Sequence, residues 1–286
     1  MNSPGTAAGL GLISAATWGG SDFVGGLGSR RAPALLVVAS GHLVSLLILL
    51  AICLSAHSAL PGNRDLLFSA IGGFEGAIAL ALFYRALSMG SMGLTAALTG
   101  LLTALIPVLF SLLHDGLPTL LTAAGLLMGL IAIWLITHSP GGEGSAYRPV
   151  ATPPRALLLG ALAGLGFGTQ LILFKFAAGG SVLWVMTASR AAGVAALALV
   201  FAVMPPKRPW RGFWLFGVAA GLLDTAGNLF YIQTTRIGRL DVAALVCSLY
   251  PAGTILLAAI VLREWPSRRQ LAGIALALAA VVLLSV

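Results

Sequence analysis

Ten apolar runs, each about as long as a bilayer crossing, follow one another through the 286 residues with short polar breaks between them. A membrane helix needs about 20 mostly apolar residues. Segments near 5–24, 34–54, 66–88, 94–113, 120–137, 156–176, 182–203, 213–236, 241–262 and 269–286 meet that length. No stretch remains for a water-facing core. Charged residues make up 8% of the chain, against about 25% in a soluble domain. The sequence therefore predicts an all-α integral membrane protein with ten transmembrane helices, a multi-pass protein expected in the inner (plasma) membrane.

The longest polar connection, "HSPGGEGSAYRPVATPPR" from His138 to Arg155, is rich in Gly, Pro and Ser and reads as a flexible linker. It divides the chain into a five-span unit over 1–137, a connection over 138–155 and a second five-span unit over 156–286. The units match. "LLHDGLPTLLTAAG" (112–125) resembles "VLREWPSRRQLAG" (261–273), each with an acidic residue (Asp115, Glu264) after an apolar span. In each, a Pro-Thr or Pro-Ser step (Pro118-Thr119, Pro266-Ser267) then opens the next helix, its hydroxyl suited to capping. An offset of 148 or 149 positions also carries Glu75 to Asp224 within one residue, and Phe83-Tyr84 to Phe230-Tyr231 within two.

Five is odd, so the second unit starts on the opposite side of the membrane from the first. The halves are inverted repeats, the architecture that lets one midplane site open alternately to either face. Gly160, Gly164 and Gly168 on the sixth span, and Gly125 with Gly129 on the fifth, form small-residue ridges suited to close helix packing.

The net charge of +8 is spread over short loops, with no basic domain to hold nucleic acid. It bears instead on orientation and anionic headgroups. With the N-terminus inside, the cytoplasmic loops hold Arg64, Lys175, Arg236 and Arg239. The opposite loops hold more, including Arg30, Arg31, Arg148, Arg155, Lys207, Arg208 and Arg211. The count thus favours both termini outside. No basic segment precedes the first apolar run, so no cleaved signal peptide is expected. Cys53 and Cys247 both fall in apolar spans and read as packing residues rather than a disulfide or metal pair.

Against this apolar background a few polar residues carry the functional signal. A charge at bilayer depth costs about 2.5–3.5 kcal/mol on insertion scales, so each needs a cavity, a partner or a neutralising proton. Asp224, Asn228, Tyr231 and Thr235 fall on one helical stripe. Thr95, Thr99 and Thr103 form a milder one, and Ser14, Trp18, Ser21 and Asp22 cluster on the first span. Arg190, His42 and Gln170 lie inside further spans, and Pro107 and Pro251 interrupt the fourth and ninth as bends or hinges. Plainer roles compete. Asp224 could be tied to Arg190, Glu75 to Arg85, and Asp115 with Glu264 could organise turns. Trp184, Trp210, Trp214 and Trp265 near span ends read as interface anchors.

With these features the chain resembles the drug/metabolite transporter superfamily, in its EamA-type ten-helix branch. The resemblance rests on the two five-span repeats and on "ATWGGSDFVGG" (16–26). It rests also on "ALSMGSMGLTAALTGLLTALIPVL" (86–109) and its counterpart "GRLDVAALVCSLYPAGTILLAAIVLREWPSRRQLAGIALALAAVVLL" (238–284). It covers essentially the whole chain. It implies a basket of helices around a central cavity, with the fifth and tenth helices peripheral. It also implies secondary transport of small metabolites, often export of amino acids or related compounds. Arg190 falls where many members carry an arginine, while the first half departs there with Ser40-Gly41-His42. The family is often described with both termini cytoplasmic, opposite to the charge count.

The expectation is a secondary transporter working by alternating access, embedded in the bilayer, as a monomer or homodimer. Its small-molecule substrate is expected near the midplane, against Trp18, Thr95, Thr99, Gln170, Arg190, Asn228, Tyr231 and Tyr250. Glu75, Asp224 and Asp22 are the candidate proton-coupling groups, and Pro107 and Pro251 the candidate hinges. A passive channel or a lipid-handling protein is the alternative. An embedded enzyme is disfavoured, because no HExxH, CxxC or GxSxG motif is present. No cofactor and no metal is called for.

Overall fold

A computed structural model describes residues 4–90, 92–137, 152–205, 212–263 and 265–284. Most of the 138–155 connection, Glu264 and Trp210 lie outside the described residues. In chain order the helices are α1 (Pro4–Ser29), α2 (Ala34–Ser55), α3 (Asn63–Leu87), α4 (Met92–His114), α5 (Leu120–Thr137) and α6 (Pro154–Phe176). They continue as α7 (Val182–Val203), α8 (Phe213–Ile237), α9 (Leu240–Cys247), α10 (Tyr250–Leu262) and α11 (Arg268–Leu284). Counting α9 and α10 as one span, the chain has the ten-helix membrane fold.

Seven of these spans are long and apolar enough by themselves to cross a bilayer. The first span, α1, is 26 residues long but rich in glycine and hydroxyl residues. Its position explains this. It lies against α8, α9 and α10, and a Cβ added at Gly19 would come within 2.7 Å of the Tyr250 carbonyl oxygen. A helix with most of its surface packed against other helices uses small side chains there and has less need of lipid-soluble ones. The peripheral α5 and α11 pair with each other, Gly125 meeting Leu284.

The ninth span is broken. Pro251 has no N–H to give the Cys247 carbonyl, so α9 ends at Cys247 and α10 restarts at Tyr250. The sequence expectation that Pro107 likewise interrupts its span is corrected. The fourth span runs as one helix from Met92 to His114, losing only the bond that Pro107 cannot donate to Thr103. The hydroxyl caps are present. Thr119 accepts from the Thr122 N–H at the start of α5. At α11, Ser267 and Gln270 exchange bonds between side chain and backbone at 2.8 and 3.2 Å, a capping box.

The two halves are interleaved, and the packing pattern is the same when the halves are exchanged. As α1 packs on α8, so α6 packs on α3; as α2 packs on α8, so α7 packs on α3. As α4 packs on α6, so the α9–α10 span packs on α1, while α2 meets α7 and α5 meets α11. This is the pseudo-two-fold arrangement of inverted repeats. Individual contacts repeat it. The α2–α8 crossing brings Gly41 onto Gly217 and Gly221, and the α7–α3 crossing brings Ser189 onto Gly73. Ser21 donates to the Ala220 carbonyl at 2.8 Å and Gln170 to that of Gly72 at 2.9 Å.

Candidate functional site

Between the halves lies a partly open cavity with about 360 Å³ of atom-free space, its open mouth included. The first half supplies Trp18 and Asp22 from α1, Leu80 from α3 and Thr103 from α4. The second supplies Phe167, Gln170 and Leu171 from α6, Asp224 and Asn228 from α8, and Tyr250 from the start of α10. The break before Pro251 is what sets Tyr250 at a helix end beside this space.

Aromatic rings form one part of the wall. Trp18 lies tilted on Tyr231 at 5.9 Å and edge-on to Tyr250 at 6.2 Å. Phe83 meets Phe167 at 5.8 Å and Tyr250 at 6.3 Å. Trp18–Tyr231 and Phe167–Phe83 occupy equivalent places in the two halves. Gly76 leaves room for Gln170, whose amide stands where a Cβ would be.

The opposite part is polar. Arg190 donates through Nη2 to Asp224 at 2.5 Å, through Nε to Thr225 at 3.1 Å, and through Nη1 to His42 at 3.0 Å. Guanidinium only donates, so His42 accepts on Nε2 and carries its proton on Nδ1, directed at the Val38 carbonyl at 3.2 Å. Asn228 donates to the backbone and side-chain oxygens of Asp224 at 2.8 and 3.2 Å. Asp224 is thus held on two sides while one edge faces the cavity. Asp22 is buried on the same wall.

Of the residues singled out by sequence, Trp18, Gln170, Asn228, Tyr250, Asp22 and Asp224 come together at the cavity. Arg190 lies behind it, bonded to Asp224. Tyr231 is fully buried behind Trp18, its hydroxyl donating to the Leu171 carbonyl at 2.8 Å. Thr95 and Thr99 sit at the α4–α6 contact beside Gly160, with Thr99 donating to the Gly160 carbonyl at 2.9 Å. Their stripe reaches the cavity only through Thr103. Ser14 and Ser21 tie α1 to carbonyls of α8.

Glu75 lies elsewhere, half-buried between α3 and α6, accepting from Thr169. The offset explains why it does not mirror Asp224. His42 and Arg190, 148 positions apart, are equivalents in contact, and the Gly73 and Gly221 crossings share that offset. In this register Asp224 corresponds to Gly76, and Glu75 to Leu223. One residue is about 100° around a helix, enough to turn Glu75 off the cavity. By the same register Tyr231 corresponds to Phe83 rather than to Tyr84.

Sequence reasoning did not find Leu80, Phe167 and Leu171, because an apolar cavity wall looks like any other apolar helix face. Among the described residues no cluster of three or more His, Cys, Asp or Glu is placed to hold a metal.

The sequence profile of the EamA-like transporter family matches residues 5–138 and again 154–286. No curated protein is significantly similar in sequence. A crystal structure described only as that of a protein is similar over 100% of this chain and 99% of its own, with a TM-score of 0.75 and 21% identity. At that identity the likeness concerns the fold alone.

Proposed function

The chain belongs to the EamA-like transporter family, which makes it a multi-pass membrane transporter of small molecules, and from that premise we propose that it works by alternating access around the cavity between its repeats. The observation that carries this is that both halves line one space while packing on each other in a two-fold-related way. A shift of one half against the other would then open the same residues to either face. The break before Pro251, next to Tyr250 in the wall, is the hinge we assign; Pro107 lies inside the continuous α4.

Proton coupling is assigned to the cavity carboxylates. Asp224 is already held by Arg190, which leaves Asp22 as the group that takes a proton when no cation occupies the space. Protonation removes a buried charge and so changes which packing of the halves is favoured. The test is flux in proteoliposomes. Saturable uptake with counterflow supports a carrier; unsaturable flux without counterflow would favour a passive channel.

A further inference from the structure

Charge around the cavity does not balance. Among the described residues its wall carries two carboxylates, Asp22 and Asp224. Arg190, the guanidinium beside them, is committed to Asp224, Thr225 and His42. His42 is neutral in that network, because its Nε2 must accept. With Asp22 ionised, one negative charge is left over, and it sits on that carboxylate. That side chain is 5% exposed and has no hydrogen-bond or ion-pair partner among the described residues.

Most of the unused polar atoms around it are acceptors. Asn228 Oδ1 is buried without a partner, as its amide nitrogen is spent on Asp224. The Tyr250 hydroxyl, which can donate as well as accept, also lacks a partner; it stands beside Thr103, whose proton goes to the Thr99 carbonyl at 2.8 Å. Carboxylate and amide oxygens can only accept. Buried acceptors are ordinarily satisfied, so the occupant of this space should bring donors, and a positive charge.

We propose that the substrate is a small organic ammonium ion with an apolar or aromatic body. Its N–H groups are set against Asp22 and Asn228, and its body against Trp18 and Tyr250. This rests on the transport reading of the same cavity. Aromatic faces near a cation add attraction. An α-amino acid fits worse than the corresponding amine. Its carboxylate would meet two carboxylates, and the nearest cation, Arg190, is 3% exposed and does not line the space.

The test is calorimetric titration of the full chain in nanodiscs at neutral pH with three probes of one body. These are 2-phenylethylammonium, phenylalanine (which adds a carboxylate) and 2-phenylethanol (which has no charge). The ammonium ion is expected to bind about tenfold or more tightly than either of the others. Asp22→Asn, nearly isosteric and without a lost partner, is expected to weaken ammonium binding by about tenfold or more and to leave the alcohol unchanged. Asp22→Glu should recover most of the affinity, and Asp115→Asn, outside the cavity, should change nothing.

Phenylalanine or phenylethanol binding as tightly as the ammonium ion would overturn the proposal. So would absence of ammonium binding, or an Asp22→Asn affinity within about twofold of the parent. The transport reading fails separately. Ammonium binding with no flux in proteoliposomes would sink transport and keep the site. Saturable counterflow of an uncharged or anionic solute, indifferent to Asp22→Asn, would keep transport and overturn the substrate class.

Discussion

His42 and Arg190 stand 148 positions apart and meet at 3.0 Å. Each is the other's counterpart in the inverted repeat, so their contact marks the pseudo-two-fold axis. The two halves have diverged at that point in a complementary way. One supplies a fixed cation and the other a neutral acceptor for it. Two arginines there would repel, and two histidines would leave Asp224 without its partner.

Removing one member of the buried pair should cost more than removing both. Arg190→Ala leaves the Asp224 carboxylate, 13% exposed, uncompensated. Loss of a buried partner of this kind costs ~3–5 kcal/mol. The denaturation midpoint of the purified protein should fall accordingly. Arg190→Met combined with Asp224→Leu should recover most of that loss and still fail to transport. A single-variant loss below about 1 kcal/mol would mean that the pair contributes little.

The glycine crossings should be intolerant of any side chain. A Cβ on Gly41 would lie 2.5 Å from the Gly217 oxygen and 2.8 Å from the Gly221 Cα. These are backbone atoms, so the helices themselves must part. Gly41→Ala is expected to lose ~1–3 kcal/mol of stability. Gly9, with open space around it, is the matched control, and Gly9→Ala should be silent in the same thermal assay.

Glu75 and Asp224 should separate functionally despite their likeness in sequence. Asp224→Asn changes the cavity wall and its bond to Arg190, and is expected to lower transport about tenfold or more. Glu75→Gln alters a group between α3 and α6, and should leave the apparent substrate KM within about twofold. Equal defects in the two variants would show that the one-residue difference in register does not matter.

What the sequence reveals and conceals follows from the same physics. Span positions were legible because a bilayer sets both length and composition; 182–203 and Val182–Val203 coincide. The repeat was legible as well, but only to within a residue. Glu75 therefore looked like the mirror of Asp224 until the Gly73 and Gly221 crossings fixed the register. Polar wall residues such as Asp22 and Asn228 stand out in an apolar chain, whereas Leu80 and Phe167 cannot. Thr95 and Thr99 carried the same polar signal as Thr103, yet their helix face meets Gly160 of α6.

Outside the membrane spans, Asp115 offers a pH test. Hydrogen bonds from Ser111 and His114 hold its carboxyl below the usual aspartate range. A depressed folded-state pKa contributes stability above the unfolded value, lost as pH falls through the folded one. The group is largely exposed, so the contribution is small. The stability difference between the parent and Asp115→Asn should be present above about pH 4 and disappear below it. A difference that grows on acidification would contradict this assignment.

The central claim is that one cavity serves both faces of the membrane. Cys53 and Cys247 are free and buried, so a Leu80→Cys variant places a thiol in the cavity wall against a silent background. A membrane-impermeant thiol reagent can then be added from one side or the other of oriented proteoliposomes. The account predicts labelling from either side, with substrate slowing both. Labelling from one side alone, under all substrate conditions, would contradict it.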